Sequence, residues 1–224
     1  MRLLLVRHGE TDWNAAGRIQ GSTDIALNDA GRRQAQKLHE RLQDRTIDAV
    51  YSSDLSRALE TARIVAGDER LVGRRVPLWA VGALREIAYG QWEGKTRAEL
   101  EAAGYGPWLD AWVRGEPCDA PEGGESREDV DRRVDHFLSA VFPRHVGETV
   151  LVVSHGGPLR LLIARLMGRP VSGWGAVRQA NTALTEVEIA AGSPPQFVCI
   201  NDVTHLDECD ASAPAMQPGA ATAK

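Results

Sequence analysis

Two histidines in this chain each stand between a run of branched aliphatic residues and a glycine. His8 follows the apolar run within residues 2–6, from which Arg7 separates it, and His155 follows the run at residues 149–153. Short apolar runs bounded by charged and turn residues are typical of buried strands in a parallel sheet. Because open α/β sheets place their ligands at the carboxyl ends of their strands, we expect both imidazoles to reach one ligand.

Arginines accompany these histidines. Arg7 directly precedes the first one, and Arg57 lies in the first turn of a predicted helix, just past the end of the second strand. Two cations, two imidazoles and the backbone amides of glycines such as Gly156 suit a phosphoryl group, whose charge is spread over three oxygens. We expect one neutral imidazole to attack phosphorus and become a phosphohistidine. Taken alone, Arg57 would be a solvated helix residue or an ion-pair partner of Asp54 or Glu60.

The same chemistry needs a carboxylic acid, which protonates the leaving oxygen and later takes a proton from the attacking water. Glu86 is the favoured donor because it lies in a predicted ordered loop near the end of the third strand. Its alternative role is a surface ion pair with Arg85 or Arg97. Weaker donor candidates are Glu10, Asp12 and Glu93. Gln20 is a candidate for substrate binding, and shaping its Gly- and Asn-rich loop is the alternative.

Strands and helices alternate over most of the chain and must position these side chains. Strands are predicted at residues 2–6, 47–51, 76–81, 149–153, 174–176, 184–189 and 197–200. Helices are predicted from Asp29 to residue 42, at residues 55–66, 96–103 and 126–141, and from Pro158 to residue 166. The alternation predicts an α/β fold, a three-layer sandwich with a largely parallel central sheet flanked by helices.

Helix caps and helix faces follow from the same patterns. Asp29 and residues 52–54 are the predicted caps of the first two helices, and the second helix should carry Arg57 and Thr61 on a polar face. The segment 104–124 is predicted as a helical piece followed by a Pro- and Gly-rich lid or binding loop. Its two tryptophans, one helical turn apart, are expected to be a packing pair: Trp108 and Trp112.

The composition is that of an ordinary globular domain, with 224 residues of which 43% are hydrophobic and 25% are charged. One domain is predicted at residues 1–206, and a frayed, disordered tail at residues 207–224. The net charge of −5 argues against nucleic acid or an anionic membrane as a partner, because both demand a basic surface. No apolar run approaches the length of a membrane span.

Cysteine usage bears on the compartment. The three cysteines are widely spaced and form no C-x-x-C pair, so neither a disulfide framework nor a zinc ribbon is predicted. A reducing, cytoplasmic compartment is therefore expected, and residues 1–6 are too short for a signal peptide. No cofactor and no metal are expected. The oligomeric state stays open between a monomer and a homodimer.

Four segments together resemble the histidine phosphatase superfamily, the phosphoglycerate mutase-like enzymes. They occur in the order found in that family and are RHGET at residues 7–11 with Asn14, SSDLSRALETA at 52–62, LREIAYGQWEG at 84–94 and VSHGG at 153–157. The resemblance implies a phosphoglycerate mutase-like fold and a small phosphorylated metabolite as substrate. It implies His8 as the nucleophile, Glu86 as the proton donor, and a phosphate pocket of Arg7, Arg57 and His155 with Asn14 as an additional contact.

Within this family, mutases return the phosphoryl group to a bound sugar acid, whereas phosphatases give it to water. Cofactor-dependent mutases resemble one another in an insertion that brings adjacent arginines over the site. Between Lys95 and Gly124 this chain has only Arg97 and Arg114, which are far apart. The YGxWEG sequence also looks more like the phosphatase branch, which includes broad-specificity and ribazole-phosphate phosphatases. Hydrolysis is therefore favoured over the mutase reaction.

Two further classes of function stay open on the residues alone. In a metallohydrolase, His8, His155 and a carboxylate would bind zinc, but the adjacent Arg7 disfavours a nearby metal ion. A non-catalytic module would keep the phosphate pocket and lack turnover. All the reacting groups are present, which favours an enzyme over such a module.

Overall fold

A six-stranded sheet forms the centre of the fold in the computed structural model, which describes residues 1–67 and 76–206. Its strands are β1 (Arg2–Arg7), β2 (Ala49–Ser52), β3 (Leu78–Ala80), β4 (Thr149–Ser154), β5 (Leu184–Glu188) and β6 (Gln196–Asp202). The strand order is β3-β2-β4-β1-β5-β6. The first four in this order run parallel, and β5 and β6 are antiparallel to their neighbours.

Helices cover the two faces of the sheet. The α-helices are α1 (Asp12–Ala15), α2 (Asp29–Leu42), α3 (Ser56–Ala66), α4 (Arg97–Ala102), α5 (Gly106–Arg114), α6 (Arg127–Val141) and α7 (Gly156–Leu166). Leu4 and Val6 of β1 pack with the apolar stripes of α2 and α3, whereas Leu3 and Leu5 pack with those of α6 and α7. The middle of a strand that is covered on both faces must be apolar at every position, which is why residues 3–6 of β1 and 150–153 of β4 are all aliphatic. The predicted three-layer α/β sandwich is confirmed.

The register of the two central strands positions the site. Arg7 is opposite Ser154 in the parallel pair β1 and β4, so His8 and His155 leave the sheet side by side. The backbone N–H of His8 donates to the carbonyl of Ser154 at 2.9 Å and extends the ladder by one bond. Two residues 147 positions apart in the chain are thereby brought to one place.

The segment between β3 and α6 packs beside this edge of the sheet. It contains 3₁₀ turns at Gly82–Leu84 and Gly90–Trp92, followed by α4 and α5. Trp108 and Trp112 stack with ring centroids 4.8 Å apart, which confirms the expected packing pair, and Trp92 meets Trp108 edge to face at 4.1 Å. These ring pairs hold the segment as an ordered unit against the rest of the domain.

Several local predictions are wrong. Residues 174–176 are not a strand but lie within a 3₁₀ helix, Val171–Ala176, where Trp174 is buried against Trp112. Asn28, not Asp29, caps α2, since its side chain accepts from the Gly31 N–H. The N-cap of α3 is Leu55, with no capping bond from its side chain. Asn and Asp are equally favoured N-caps, so the α2 prediction was off by one residue, whereas tertiary contacts decided the Trp174 and Leu55 positions against the local preference.

The prediction of a tail at residues 207–224 lies outside the described residues. No described helix has both the length and the apolar character needed to cross a membrane.

Candidate active site

His8 presents one ring nitrogen to the site at the end of β1. Its Nδ1 lies 2.6 Å from the Gly9 carbonyl oxygen, and because a carbonyl only accepts, Nδ1 carries the proton. Burial lowers the pKa of His8 well below 6.5, and the charges of Arg57 and Arg7 lower it further. The ring is therefore neutral at pH 7, and the lone pair at Nε2 is available for attack on an electrophile.

Gly9 and Gly31 permit this position of the loop after β1. A Cβ atom on Gly9 would lie 2.5 Å from the Gly31 carbonyl oxygen, closer than van der Waals contact permits. The Gly9 N–H donates to the hydroxyl of Thr61 in α3 at 3.0 Å. The loop after β1 is thus held against two helices, which fixes the ring that it carries.

His155 has the complementary tautomer. Its Nδ1 accepts a hydrogen bond from Arg57 Nε at 3.2 Å, so the proton is on Nε2. That Nε2 is buried and has no hydrogen-bond partner among the described residues. The His8 and His155 ring centroids are 5.0 Å apart, and burial lowers the pKa of His155 well below 6.5, with Arg57 next in effect. A buried, unpaired N–H is set to donate to a ligand oxygen.

Arg57 is fully buried and its guanidinium is anchored on three sides. Besides the bond to His155, Nη1 donates to the Thr23 carbonyl and Nη2 to the Gly21 carbonyl, each at 2.8 Å. The predicted polar face of α3 is therefore wrong for Arg57 and Thr61, since both are buried beneath the loop that supplies these carbonyls. Its alternative role as an ion-pair partner is also wrong, because Asp54 pairs with Arg85 and Glu60 with Arg32.

Arg7 is the second cation of the site. Its Nη1 donates to the Gln179 carbonyl at 2.7 Å, whereas its buried Nε has no partner in the described part of the chain. Burial lowers the pKa of Arg7 to about 10. The negative charge of Glu86 opposes this shift, whereas the positive charges of Arg160 and Arg57 add to it. The guanidinium is still charged at pH 7, with an N–H free to bind an anion.

Glu86 lies across from the histidines at the amino end of α7. Its Oε1 accepts from the backbone N–H groups of Ile87 and Gly157 at 2.9 and 3.0 Å. A Cβ on Gly157 would lie 2.5 Å from this oxygen, so the glycine permits the close approach. The alternative of a surface ion pair is wrong, since Arg85 binds Asp54 and Arg97 binds Glu101 and Asp110.

Asn14, Gln20 and Gly156 lie close to this centre in three different ways. Asn14 Oδ1 accepts from the Thr11 N–H and from Asn181 Nδ2, which also donates to the His8 carbonyl. Gln20 is buried and directly precedes Gly21, whose carbonyl accepts from Arg57. Its Oε1 has no hydrogen-bond partner among the described residues. Gly156 begins α7, and a Cβ there would lie 3.7 Å from Glu86 Oε2.

Glu93 holds the surrounding loops together. Its carboxylate accepts from the backbone N–H groups of Ser22, Thr23 and Tyr89 at 2.9 to 3.0 Å and from the hydroxyls of Ser22 and Thr23. Burial alone would raise the pKa of Glu93, but these hydrogen bonds outweigh it and lower the pKa. A carboxylate saturated in this way is a poor proton donor and a good clamp for the carbonyls that bind Arg57.

Comparisons with known proteins identify the family. The chain matches the histidine phosphatase superfamily (branch 1) over residues 3–203. It belongs to this superfamily. A phosphoglycerate mutase-like protein 4 of Arabidopsis thaliana is 38% identical over 92% of this chain and 87% of its own. A glucosyl-3-phosphoglycerate phosphatase of Mycolicibacterium vanbaalenii is 38% identical over 95% of each chain.

A solved structure gives the same result. The alpha-ribazole phosphatase of Shigella flexneri superposes with a TM-score of 0.80 at 32% identity, covering 91% of this chain and 97% of that one. The predictions of the family, of a phosphatase enzyme and of a phosphoglycerate mutase-like fold are thereby confirmed.

Three residues of the site region were missed by sequence reasoning. Asn181 and Thr182 come from the loop before β5 and bind the backbone of His8 and Arg7. Arg160 lies on α7, and its charge acts on Arg7. No sequence pattern marks the first two, whereas the position of Arg160 one turn after Gly156 on a helix that begins at the site was a usable signal.

Proposed function

We propose that this enzyme hydrolyses phosphomonoesters of small metabolites in two steps through a phosphohistidine on His8. The pairing of the two imidazoles carries this proposal. Their rings are 5.0 Å apart, and His8 offers a lone pair where His155 offers an N–H. A phosphoryl group that contacts both Nε2 atoms would meet a nucleophile at His8 and a hydrogen-bond donor at His155.

In the first step His8 Nε2 forms a bond to phosphorus while the bond from phosphorus to the ester oxygen breaks. Glu86 gives its proton to the departing alkoxide, which leaves as a neutral alcohol. Arg7, Arg57 and the Nε2–H of His155 stabilise the three equatorial oxygens. In the second step a water attacks phosphorus, Glu86 takes its proton, and the phosphorus–nitrogen bond breaks. Inorganic phosphate leaves and the neutral imidazole is restored.

Water is the favoured acceptor, because no described arginine of the segment 95–124 is free to hold a bound sugar acid. Arg97 forms ion pairs with Glu101 and Asp110, and Arg114 forms one with Glu116. The mutase alternative needs adjacent arginines from this segment over the site, and the two arginines present are paired and lie far apart in the sequence. The metallohydrolase alternative is disfavoured because the charges of Arg57 and Arg7, which add to burial in lowering the pKa of both imidazoles, would repel a metal ion there. The cytoplasmic location stays a prediction from cysteine usage.

The experiment compares the parent protein with His8→Asn and with the control His136→Asn, which changes an exposed histidine. A panel of phosphomonoesters is assayed for free phosphate, alongside a 3-phosphoglycerate mutase assay with 2,3-bisphosphoglycerate. We expect the parent and the control to release phosphate and to form an acid-labile, alkali-stable adduct. His8→Asn should give neither.

Three results would overturn the proposal. The first is an adduct that persists in His8→Asn. The second is loss of turnover on treatment with chelators. The third is mutase turnover without phosphate release, which would establish the mutase instead.

A further inference from the structure

Arg160 stands one turn along α7 from Gly156, on the side of the helix that faces Glu86. Residues four apart lie on the same helical face, and side chains on a helix point back toward its amino end. The amino end of α7 is the active site, where His155 is the N-cap. Gly156 carries no side chain here, and a Cβ on it would be in ordinary van der Waals contact with Glu86 Oε2, at 3.7 Å.

Electrostatics places Arg160 beside the same pocket. Burial is the main reason that the pKa of Arg7 is lowered and that of Tyr89 is raised; the charge of Arg160 adds to the first effect and opposes the second. Glu86 acts on the same two groups with the opposite sign. Arg160 therefore contributes to the field of the catalytic centre and does not belong to a distant surface.

This guanidinium has no partner in the described part of the chain. It forms no ion pair there, and its buried Nε donates no hydrogen bond. The indole ring of Trp174 lies beneath it, with the ring centroid 5.8 Å from the Cζ atom of Arg160. Arg165 on the same helix shows the ordinary arrangement, since it pairs with Asp131 and Asp135. A cation without a partner, resting on an indole and half-buried, is set to receive an anion.

A phosphomonoester alone does not satisfy this cation. In the proposed reaction Arg57 and the unpaired N–H groups at Arg7 Nε and His155 Nε2 already serve the phosphoryl group, and Arg160 adds a further guanidinium one turn along α7. The planar edge of a guanidinium fits a carboxylate with two parallel hydrogen bonds.

We propose that Arg160 binds a carboxylate on the leaving group of the substrate, a few atoms from the phosphorus. This inference rests on the proposed phosphatase function and narrows its substrates to phosphate esters of hydroxy acids and amino acids. A neutral leaving group would occupy the same space without forming this pair.

Two matched substrate pairs test the subsite, because the members of each pair differ in the carboxylate. They are O-phosphoserine with phosphoethanolamine, and 3-phosphoglycerate with glycerol 3-phosphate. The variants are Arg160→Met, which keeps an apolar stem over Trp174, and the control Arg169→Met, which changes an exposed arginine just past the same helix. Values of kcat and KM are measured for all four substrates.

We expect the parent and Arg169→Met to prefer the acidic member of each pair. Arg160→Met should lose about 10- to 100-fold in kcat/KM on the acidic members, the range for a lost hydrogen bond to a charged group, and change by less than about 3-fold on the neutral ones. Equal kcat/KM values of the parent protein for the two members of a pair would overturn the inference and leave the phosphatase function standing. A loss in Arg160→Met that is equal for both members would do the same, since it would assign Arg160 to the phosphate itself.

Binding provides a readout that does not depend on turnover or on the folding of Arg160→Met. Calorimetry with the His8→Asn protein compares 3-phosphoglycerate with glycerol 3-phosphate. Tighter binding of the acid by about 10-fold or more supports the subsite even if the parent hydrolyses none of the four esters, which would contradict the proposed function alone. Equal binding of the two ligands would overturn the subsite.

Discussion

Replacing Glu86 by glutamine removes the proposed proton donor and keeps the shape of its side chain. The carboxyl oxygen Oε1 accepts from the backbone N–H groups of Ile87 and Gly157. A glutamine carbonyl can stand in the same place, so both N–H groups stay paired and the amide takes the position of Oε2. The variant should fold, which a thermal unfolding curve checks, and it should differ from the parent in proton transfer.

The size of the effect depends on the leaving group. Proton transfer by a positioned acid contributes about 10²- to 10⁴-fold, or about 3–5 kcal/mol in the activation free energy. An alkoxide needs the full contribution because it is a strong base. A nitrophenolate leaves without a proton, so the same substitution should reduce its release by less than about 10-fold.

The assay measures kcat/KM, which reports the steps up to the first breakage of the ester bond, for alkyl and aryl phosphates of graded leaving-group basicity. Glu86→Gln should show a much steeper dependence on basicity than the parent. Glu10→Gln is the matched control, since it changes a carboxyl that lies near His8 in sequence and binds Asn28. An equal loss across all leaving groups would refute the reasoning and assign Glu86 to holding the cations. A larger loss in Glu10→Gln would move the donor role to that residue.

Two more predictions concern the pocket. Arg57→Lys cannot reproduce the three anchoring bonds to His155, Thr23 and Gly21, so kcat/KM should fall about 10²- to 10³-fold. The control Arg63→Lys, on the exposed side of α3, should leave kcat/KM unchanged. A fall of less than about 10-fold in Arg57→Lys would contradict the anchoring role. The second prediction is that acid destabilises the folded protein. Burial, and after it the charge of Arg57, lowers the pKa of His8 and His155 well below 6.5. Once the pH falls below 6.5, these histidines bind protons in the unfolded chain and stay neutral in the folded one. The free energy of unfolding should then fall toward pH 5 with a slope that approaches about 1.4 kcal/mol per pH unit for each histidine. Denaturant titrations of the parent and of His8→Asn test this, and the same slope for both proteins would contradict it.

The central strands and long helices could be predicted because their patterns are strong. β1 and β4 are unbroken apolar runs, and the capping box of Ser126 and Asp129 marks the start of α6. The sequence wrongly predicts a strand at residues 174–176, because short apolar runs have no period that distinguishes a strand from a helix. In the fold, Trp174 lies in a 3₁₀ helix and contacts Trp112 of α5 and Arg160 of α7.

For the site, the chain by itself determined which groups could react. Arg7 and His8 follow one buried strand and His155 another, and a parallel sheet can only deliver such residues to the same edge. The choice of tautomer on each ring depended on the tertiary structure, because the partners of the two Nδ1 atoms are a local carbonyl in one case and a distant guanidinium in the other.

Tertiary structure likewise settled the burial of Arg57, the clamp at Glu93 and the position of Arg160, which has no partner among residues 1–67 and 76–206. Each depends on loops whose course is governed by packing, and no periodic pattern in the sequence encodes that packing. Residue type and strand order determined the chemistry, while the contacts between distant segments determined which charges are neutralised and which are left for a ligand.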